Sequence, residues 1–398
     1  MNILFIVKEF PHSRVIGGPI IIFNRVKYLS PKHRVSLIAF ADNPTREQVE
    51  SVSEYCHDLR FVPQPAARGA WERTRDYFFG PVPPYFQLCY SEEMYRQLRD
   101  IVGKSRYDVI ISEYSMVAQY LYGNPDLAGI KRVMSVHEIY CLARRKAFKV
   151  EGFSRTGLTA LMHLKGLRRF EMDMYTDADR VLTLTPEERD ALLNLRPGLD
   201  VSVVPHGVDV DRFCPAEREP GPPTVTFLGN YPHEPNRDAV MFFGTRSWPS
   251  IRAKVPGCRF LVVGKGPTAD MLEMAACDPS IEVTGEVPDV LPYLRESDVF
   301  VCPVRMGGGF RGKVLEAMAS GVPVVSTALG AEGLPARDGD NILLAETPGE
   351  LAERTVRLLA DEQLKERLAS NARELVVENY SWQKGVQILE EVLEQVVH

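Results

Sequence analysis

The feature that most constrains the fold is an alternation of short apolar runs with amphipathic helical patterns, repeated in two cycles along the 398 residues. The first cycle begins at the apolar run 3–7, continues with a helical pattern at 19–29 and ends at the run 180–185. The second cycle begins at the run 224–228 and continues to the run 342–344. Continuous apolar runs separated by helices are typical of parallel sheets covered on both faces. The sequence therefore predicts an α/β protein with two doubly wound domains.

Prolines and glycines concentrate between the two cycles, which indicates a linker. We therefore predict an N-terminal Rossmann-like domain over residues 1–205, a linker over 206–223 and a C-terminal Rossmann-like domain over 224–380. Apolar residues at helical spacing also predict a terminal helix over 381–398. A chain of this length is too long for one hydrophobic core. In doubly wound domains, ligands bind at the carboxyl ends of the strands.

Composition excludes several classes of protein. A formal net charge of −6 and a pI near 5.9 argue against nucleic acid as the main partner. The seven cysteines are dispersed, without a Cys-x-x-Cys pair, as expected for reduced thiols in a cytosol. The apolar amino terminus reads as a first strand and not as a signal peptide, and no run approaches the ~18 apolar residues that cross a bilayer. These features predict a cytoplasmic protein that at most lies on the inner face of a membrane.

A glycine-rich loop, residues 307–312, leads into a short helical pattern and then an apolar run. Glycines let the backbone approach a ligand closely, and a helix N-terminus presents N–H groups to anions. Lys313 lies in the first turn of the predicted helix, and Glu316 lies on the same face three residues later. A cation beside a diphosphate and a carboxylate beside sugar hydroxyls suit a nucleotide-sugar site. The alternative is an ordinary strand-loop-helix unit with a solvated Lys-Glu pair.

This run resembles the C-terminal signature of glycosyltransferase family 4 (the group 1 glycosyltransferases), enzymes of the GT-B fold that use nucleotide sugars. Four other segments resemble the same family: 203–215, with His206 where the family has Asn, 260–267, 330–334 and 378–382. The resemblance extends from about residue 181 to the end of the chain. The N-terminal half matches at fewer points, chiefly Gly17-Gly18 and His137-Glu138. The resemblance implies a GT-B fold. In this fold the two Rossmann-like domains face each other across a cleft, and the terminal helix packs back on the first domain.

The resemblance implies a role for each candidate donor-site residue. Arg311 and Lys313 are expected to stabilise the diphosphate, which is the leaving group. The loop residues Gly308, Gly309 and Phe310 are expected to support them. Glu316 is expected to accept hydrogen bonds from the ribose, and Gly229 and Asn230 are expected to line the nucleotide site. The sequence departs from the family in two places: no Arg or Lys occurs in 229–236, and Gly308 stands near the place of a sugar-binding glutamate.

The resemblance also implies a site in the N-terminal half. Gly17 and Gly18 are expected to fold over the donor diphosphate, although two adjacent glycines also make an ordinary turn. His137 follows a predicted strand and is expected to lie beside the donor sugar, with a structural histidine as the alternative. Glu138 either orients His137 or caps the next helix.

The resemblance implies a retaining, metal-independent glycosyltransferase of the hexosyltransferase type, acting in glycan, glycolipid or natural-product glycoside biosynthesis. Its co-substrate would be an NDP-sugar, with no cofactor, and its acceptor a hydroxyl of a sugar, lipid-linked glycan or small molecule. Epimerase or phosphorylase chemistry on the same fold and a non-catalytic nucleotide-sugar-binding protein are the alternatives. The basic stretch 144–169 is either a peripheral contact with an anionic membrane or a solvated helix face.

Overall fold

The chain forms two compact units in a computed structural model. The first unit comprises Met1–Pro205 and Gly385–His398, and the second comprises His206–Lys384. The structure describes all residues except 13–17, 67–68, 70, 72–74, 76–79, 81, 152–154, 218–219 and 308–309, and it describes no side chains for 146–151 and 155–163.

The described residues of the first unit build a seven-stranded parallel sheet with the order β3-β2-β1-β4-β5-β6-β7. Its strands are β1 Asn2–Val7, β2 Arg34–Phe40, β3 Asp58–Val62, β4 Val109–Glu113, β5 Lys131–Val136, β6 Arg180–Thr183 and β7 Val201–Val203. The sequence predicts that the run 180–185 closes this half, but the sheet continues to β7. The central strands β1, β4 and β5 are adjacent, with Glu113 opposite Val7 and Ser135. This register brings the carboxyl ends of three strands together.

Helices cover both faces of this sheet, because apolar side chains alternate on both faces of its buried central strands. The helices of the first unit are α1 Gly18–Leu29, α2 Arg46–Ser53, α3 Pro84–Gln87, α4 Glu92–Lys104, α5 Ser115–Ala118, α6 Tyr140–Glu151, α7 Arg155–Asp177 and α8 Pro186–Leu195, with a 3₁₀ turn at Pro125–Leu127. One core contains Ile22 and Val26 of α1 together with Leu389 and Leu393 near the C-terminus. The end of the chain therefore belongs to the core of the first unit.

The described residues of the second unit build a six-stranded parallel sheet with the order β10-β9-β8-β11-β12-β13. Its strands are β8 Thr224–Leu228, β9 Arg259–Val263, β10 Ile281–Gly285, β11 Val299–Cys302, β12 Val324–Ser326 and β13 Leu343–Leu344. Its helices are α9 Glu234–Phe242, α10 Trp248–Lys254, α11 Ala269–Cys277, α12 Leu291–Arg295, α13 Gly312–Ala319, α14 Pro348–Ala360 and α15 Glu362–Tyr380, with a π turn at Phe243–Ser247 and a 3₁₀ turn at Leu329–Ala331. The last helix, α16 Trp382–Val397, starts in this unit and ends in the first.

The expected linker, residues 206–223, belongs to the second unit. Val208 and Phe213, which lie in the expected linker 206–223, are buried in the core of the second unit. Arg373 of α15 holds this stretch through hydrogen bonds to the carbonyl oxygens of Val210 (3.0 Å) and Phe213 (2.7 Å). No helix in the described part of the chain is long and apolar enough to cross a membrane.

Candidate functional site

Helix α13 places Lys313 in its first turn, directly after the glycine-rich loop. The Lys313 Nζ donates hydrogen bonds to the carbonyl oxygen of Leu228, at 2.8 Å, and to Oδ1 of Asn236, at 2.7 Å. It also lies 4.1 Å from the centre of the Phe227 ring, a cation–π distance. Lys313 is therefore held against the carboxyl end of β8 and is not a solvated surface lysine.

The surroundings of Lys313 lower the pKa of its ammonium group. Burial chiefly, with a contribution from the nearby charge of Arg311, lowers the pKa of Lys313 to about 8. Arg311 itself is buried. Two cations close together at a helix N-terminus favour a bound anion, since the anion relieves their repulsion. This end of the second sheet is accordingly suited to a diphosphate.

Glu316 lies one turn after Lys313 on the same helix. Burial raises its pKa to about 7, although the charges of Arg212 and Lys313 oppose this shift. Arg212 is paired with Asp289 at 2.7 Å, which limits how much it can stabilise Glu316. Among the described residues, none donates a hydrogen bond to the Glu316 carboxylate. A ligand with adjacent hydroxyl groups, such as a ribose, would supply the missing donors.

Sequence patterns alone miss His233, which precedes α9 at the carboxyl end of β8. It lies in the stretch 229–236, where the family pattern leads one to look for Arg or Lys. Burial lowers the pKa of His233, and so do the charges of Arg311 and Lys313. His233 therefore belongs to the same electropositive cluster, and a bound anion would raise its pKa.

The other predicted residues of this half are placed as follows. The backbone of Gly229 packs against Gly264, whose φ of +139° and lack of space for a Cβ permit only glycine. The Asn230 carbonyl oxygen accepts a 2.9 Å hydrogen bond from Asn236 Nδ2, which connects it to the partner of Lys313. The Phe310 ring stacks on His206 with centroids 5.2 Å apart. Gly308 and Gly309 lie outside the described residues.

In the first unit, His137 directly follows β5 and is buried. Its Nε2 lies 2.8 Å from Oε2 of Glu113, the last residue of β4. The other oxygen of Glu113 accepts a 2.7 Å hydrogen bond from Arg25 Nη1. Glu138, the residue considered for orienting His137, is exposed, and the Nε2 partner is Glu113 instead. The sequence gives one signal for Glu113, its position at the carboxyl end of a buried strand.

Gly18 and Tyr114 close this cluster. A Cβ on Gly18 would coincide with the Tyr114 hydroxyl, so the start of α1 can approach Tyr114 only as glycine. The Tyr114 ring stacks on His137 with centroids 4.1 Å apart and planes 30° apart. The structure thus brings Gly18 and His137 into one cluster, whereas Gly17 lies outside the described residues.

Two other expectations concern the basic stretch and metal binding. In the basic stretch 144–169, Lys165, Arg168 and Arg169 are exposed, and Arg144 lies 4.7 Å from the centre of the Tyr85 ring. The side chains of 146–163 lie outside the described part. The described residues contain no group of three or more His, Cys, Asp or Glu that could hold a metal ion.

Comparison with known proteins decides the family. A model of glycosyltransferase family 4 matches residues 17–212, and a model of the group 1 glycosyl transferases matches residues 222–361. The chain belongs to the family 4 (group 1) glycosyltransferases. The two matches together cover both units, so the resemblance in the N-terminal half is as real as that in the C-terminal half.

Curated members of this family match over part of their length. The chain is 32% identical over 199 residues to a phosphatidyl-myo-inositol mannosyltransferase of Mycobacterium tuberculosis, which covers 46% of this chain and 51% of that protein. A GDP-mannose-dependent alpha-(1-6)-phosphatidylinositol monomannoside mannosyltransferase of the same species is 29% identical over 210 residues, covering 47% of this chain and 54% of that protein. The chain thus spans about half the length of the curated relatives it matches.

Solved structures of glycosyltransferases share the fold over the whole chain. Sucrose-phosphate synthase from Thermosynechococcus elongatus superimposes with a TM-score of 0.73 at 17% identity, covering 100% of this chain and 99% of that chain. HepE from Anabaena, in complex with UDP and glucose, superimposes with a TM-score of 0.65 at 16% identity, covering 98% and 99%. At such low identities these similarities establish only the fold, which is GT-B: two Rossmann-like parallel sheets.

Proposed function

We propose that the protein is a retaining, metal-independent glycosyltransferase that moves a hexose from an NDP-sugar to an acceptor hydroxyl. The observation that carries this proposal is the arrangement on α13, where Lys313 and Glu316 lie one turn apart on the same helix. Lys313 suits a diphosphate and Glu316 suits a ribose diol. A nucleotide sugar contains both groups in one molecule, separated by a few bonds.

The cationic cluster would stabilise the leaving group. As the bond between the sugar C1 and the diphosphate breaks, negative charge grows on the diphosphate oxygens. Arg311, Lys313 and the N–H groups at the start of α13 would offset this charge without a metal ion. A neutral Lys313 would do so poorly, but an arriving diphosphate raises the pKa of the lysine and keeps it charged.

Retention of configuration follows if the acceptor attacks from the face that the diphosphate leaves. The new bond then joins the sugar C1 to the acceptor oxygen, and a diphosphate oxygen takes the acceptor proton. No nucleophilic carboxylate is required for this step. His137 would bind a hydroxyl of the transferred sugar and hold the ring in position.

The relatives suggest which substrates to test first. One mycobacterial relative is named a phosphatidyl-myo-inositol mannosyltransferase, and the other is named as GDP-mannose-dependent. GDP-mannose is therefore the first donor to test, and an inositol phospholipid is the first acceptor. A lipid acceptor would bring the protein to a membrane surface. The exposed cations Lys165, Arg168 and Arg169 of α7 would then face anionic headgroups.

Nucleotide binding tests the donor site. UDP, GDP, ADP, TDP and CDP are added without metal to wild type, to Lys313→Ala and to Lys254→Ala, an exposed lysine of the same unit. One nucleotide should raise the melting temperature of wild type and Lys254→Ala but not of Lys313→Ala. Stabilisation of all three proteins alike would place the nucleotide elsewhere.

Turnover separates the proposed reaction from its alternatives. The matching NDP-sugar is incubated in EDTA with and without acceptor, and the products are identified by NMR, including the anomeric configuration. Transfer in EDTA with retained configuration is expected. A changed nucleotide sugar without acceptor would indicate an epimerase. Binding without any turnover would indicate a non-catalytic protein.

A further inference from the structure

Glu113 is a fully buried carboxylate that the donor-binding argument does not use. Each of its oxygens has one partner: Arg25 Nη1 at 2.7 Å on Oε1, and His137 Nε2 at 2.8 Å on Oε2. The same Arg25 nitrogen donates to Ser135 Oγ at 2.8 Å. These residues come from α1, β4 and β5, so three elements converge on one buried charge. Removing Arg25 would leave the charge of Glu113 buried without compensation.

The protonation state of Glu113 determines that of the histidine nitrogen. Burial alone would raise the pKa of Glu113, but the charge of Arg25 and the hydrogen bond from His137 outweigh it and lower the pKa to about 2. Glu113 is therefore ionised near neutral pH. An ionised carboxylate only accepts hydrogen bonds, so the Nε2 of His137 must carry the proton. In a neutral imidazole the other nitrogen, Nδ1, is then an acceptor.

Tyr114 fixes the plane of this imidazole. Its ring stacks on His137, and its own backbone has φ +76° and ψ 137°, a conformation that costs a non-glycine residue about 1–3 kcal/mol. The strain occurs directly after Glu113, at the end of β4. Strain of this kind persists only where surrounding contacts enforce it. No described residue forms a hydrogen bond to Nδ1 of His137.

We propose that Glu113, paired with Arg25, is a positioning residue that keeps His137 in the Nε2–H tautomer and presents Nδ1 as a hydrogen-bond acceptor for a substrate hydroxyl. The identity of that hydroxyl rests on the proposed function, but the tautomer does not. Neutral His137 then accepts a hydrogen bond from the substrate hydroxyl and cannot donate one through Nδ1. Replacing Glu113 would change which of these two roles the imidazole can perform.

Several other charged groups lie around this pair. Lys8 lies 5.9 Å from the centre of the Tyr114 ring, and Glu9 also acts on Tyr114. Arg25 and Glu113 form the buried pair, and exposed Glu138 follows His137. Glu138 is the carboxylate that directly follows His137 in the sequence. Glu138→Gln is therefore a matched control for Glu113→Gln.

The first test observes the tautomer directly. Protein labelled with ¹⁵N-histidine is examined by long-range ¹H–¹⁵N NMR in alkaline buffer, and the His137 signals are assigned with His137→Asn. Wild type and Glu138→Gln should give the Nε2–H pattern. Glu113→Gln should give the Nδ1–H pattern, because its amide oxygen faces Arg25 and its NH₂ group donates to Nε2. An Nδ1–H pattern in wild type overturns the proposal, whether or not Glu113→Gln folds.

The second test measures the consequence for sugar transfer. Glu113→Gln should lower kcat about 100-fold with little change in the donor KM, whereas Glu138→Gln should keep both. Thermal melting checks that Glu113→Gln is folded, and adding Arg25→Met removes the unpaired cation if it is not. Unchanged kcat in a folded Glu113→Gln protein overturns the proposal. An Nε2–H tautomer in a wild-type protein that transfers no sugar would leave the positioning intact and refute the proposed function.

Discussion

If Lys313 and Glu316 bind a nucleotide sugar as proposed, its affinity should depend on pH through the pKa values of these two groups. Without ligand, burial lowers the pKa of Lys313 to about 8 and raises the pKa of Glu316 to about 7. Diphosphate binding requires charged Lys313, so binding takes up a proton above pH 8. Binding of the ribose diol requires ionised Glu316, so binding releases a proton below pH 7. Affinity should therefore rise with pH through about 7 and fall with pH through about 8.

The size of the effect follows from the fraction of competent molecules. At pH 7.5 about three quarters of each group is in the required state, so roughly 60% of the molecules have both. At pH 6 or pH 9 one of the two groups is correct in only about 9% of the molecules. The apparent dissociation constant should therefore be about sixfold higher at either of these pH values than at pH 7.5.

Isothermal titration calorimetry with an intact NDP-sugar, at constant ionic strength between pH 6 and pH 9, measures this profile. An NDP-sugar is preferable to a free NDP, because a terminal phosphate itself titrates near pH ~6. Lys313→Arg stays charged over this range and should lose the fall above pH 8. Glu316→Gln cannot ionise and should lose the fall below pH 7. Since His233 is present in all these proteins, comparison with wild type cancels its contribution.

Two results would refute the reasoning. A flat wild-type profile would mean that neither group changes protonation on binding. An alkaline fall that persists in Lys313→Arg would mean that another group, such as the nucleotide base, causes it.

Three other outcomes follow from individual contacts. Gly18→Ala should displace Tyr114 and reduce sugar transfer, which kcat measures. Gly103→Ala, in open space on α4, should raise the free energy of unfolding by about 0.5–1 kcal/mol, which urea unfolding measures. His233→Asn should weaken nucleotide-sugar binding more at pH 6 than at pH 8, because only the protonated imidazole attracts the diphosphate; the same calorimetry measures it. Leu389→Ala should cost about 2–5 kcal/mol in urea unfolding, since Leu389 is fully buried in the core of the first unit, and an unchanged midpoint would contradict that packing.

The sequence predicts central strands better than edge strands, for a physical reason. The strand Thr224–Leu228 matches the predicted run 224–228, because both of its faces are buried and apolar side chains are favoured along it. The strands Asp58–Val62 and Val201–Val203 were not predicted. Both lie at an edge of the sheet and are largely half-buried, so polar residues interrupt their patterns.

The candidate site residues differ in whether their relation to each other is local or non-local in the sequence. The sequence could suggest Lys313 and Glu316 as candidates because their relation is local, three residues apart on one helix. The partnership of Glu113 with His137 depends on the pairing of β4 with β5, which spacing along the chain does not encode. His233 was missed because only permanently charged residues were sought in its loop, although a histidine gains its charge when an anion binds.

The two units treat buried charge in opposite ways, and this difference suits the two halves of a transfer reaction. In the first unit, Arg25 compensates Glu113, so this carboxylate stays ionised over the physiological pH range and can hold His137 in a fixed orientation. In the second unit, burial moves the pKa values of Lys313 and Glu316 towards neutrality, so each is only partly charged until a ligand arrives. A reacting sugar must be held in one geometry, which favours the compensated cluster. A diphosphate must be bound as donor and released as product, which favours groups whose charge depends on the ligand.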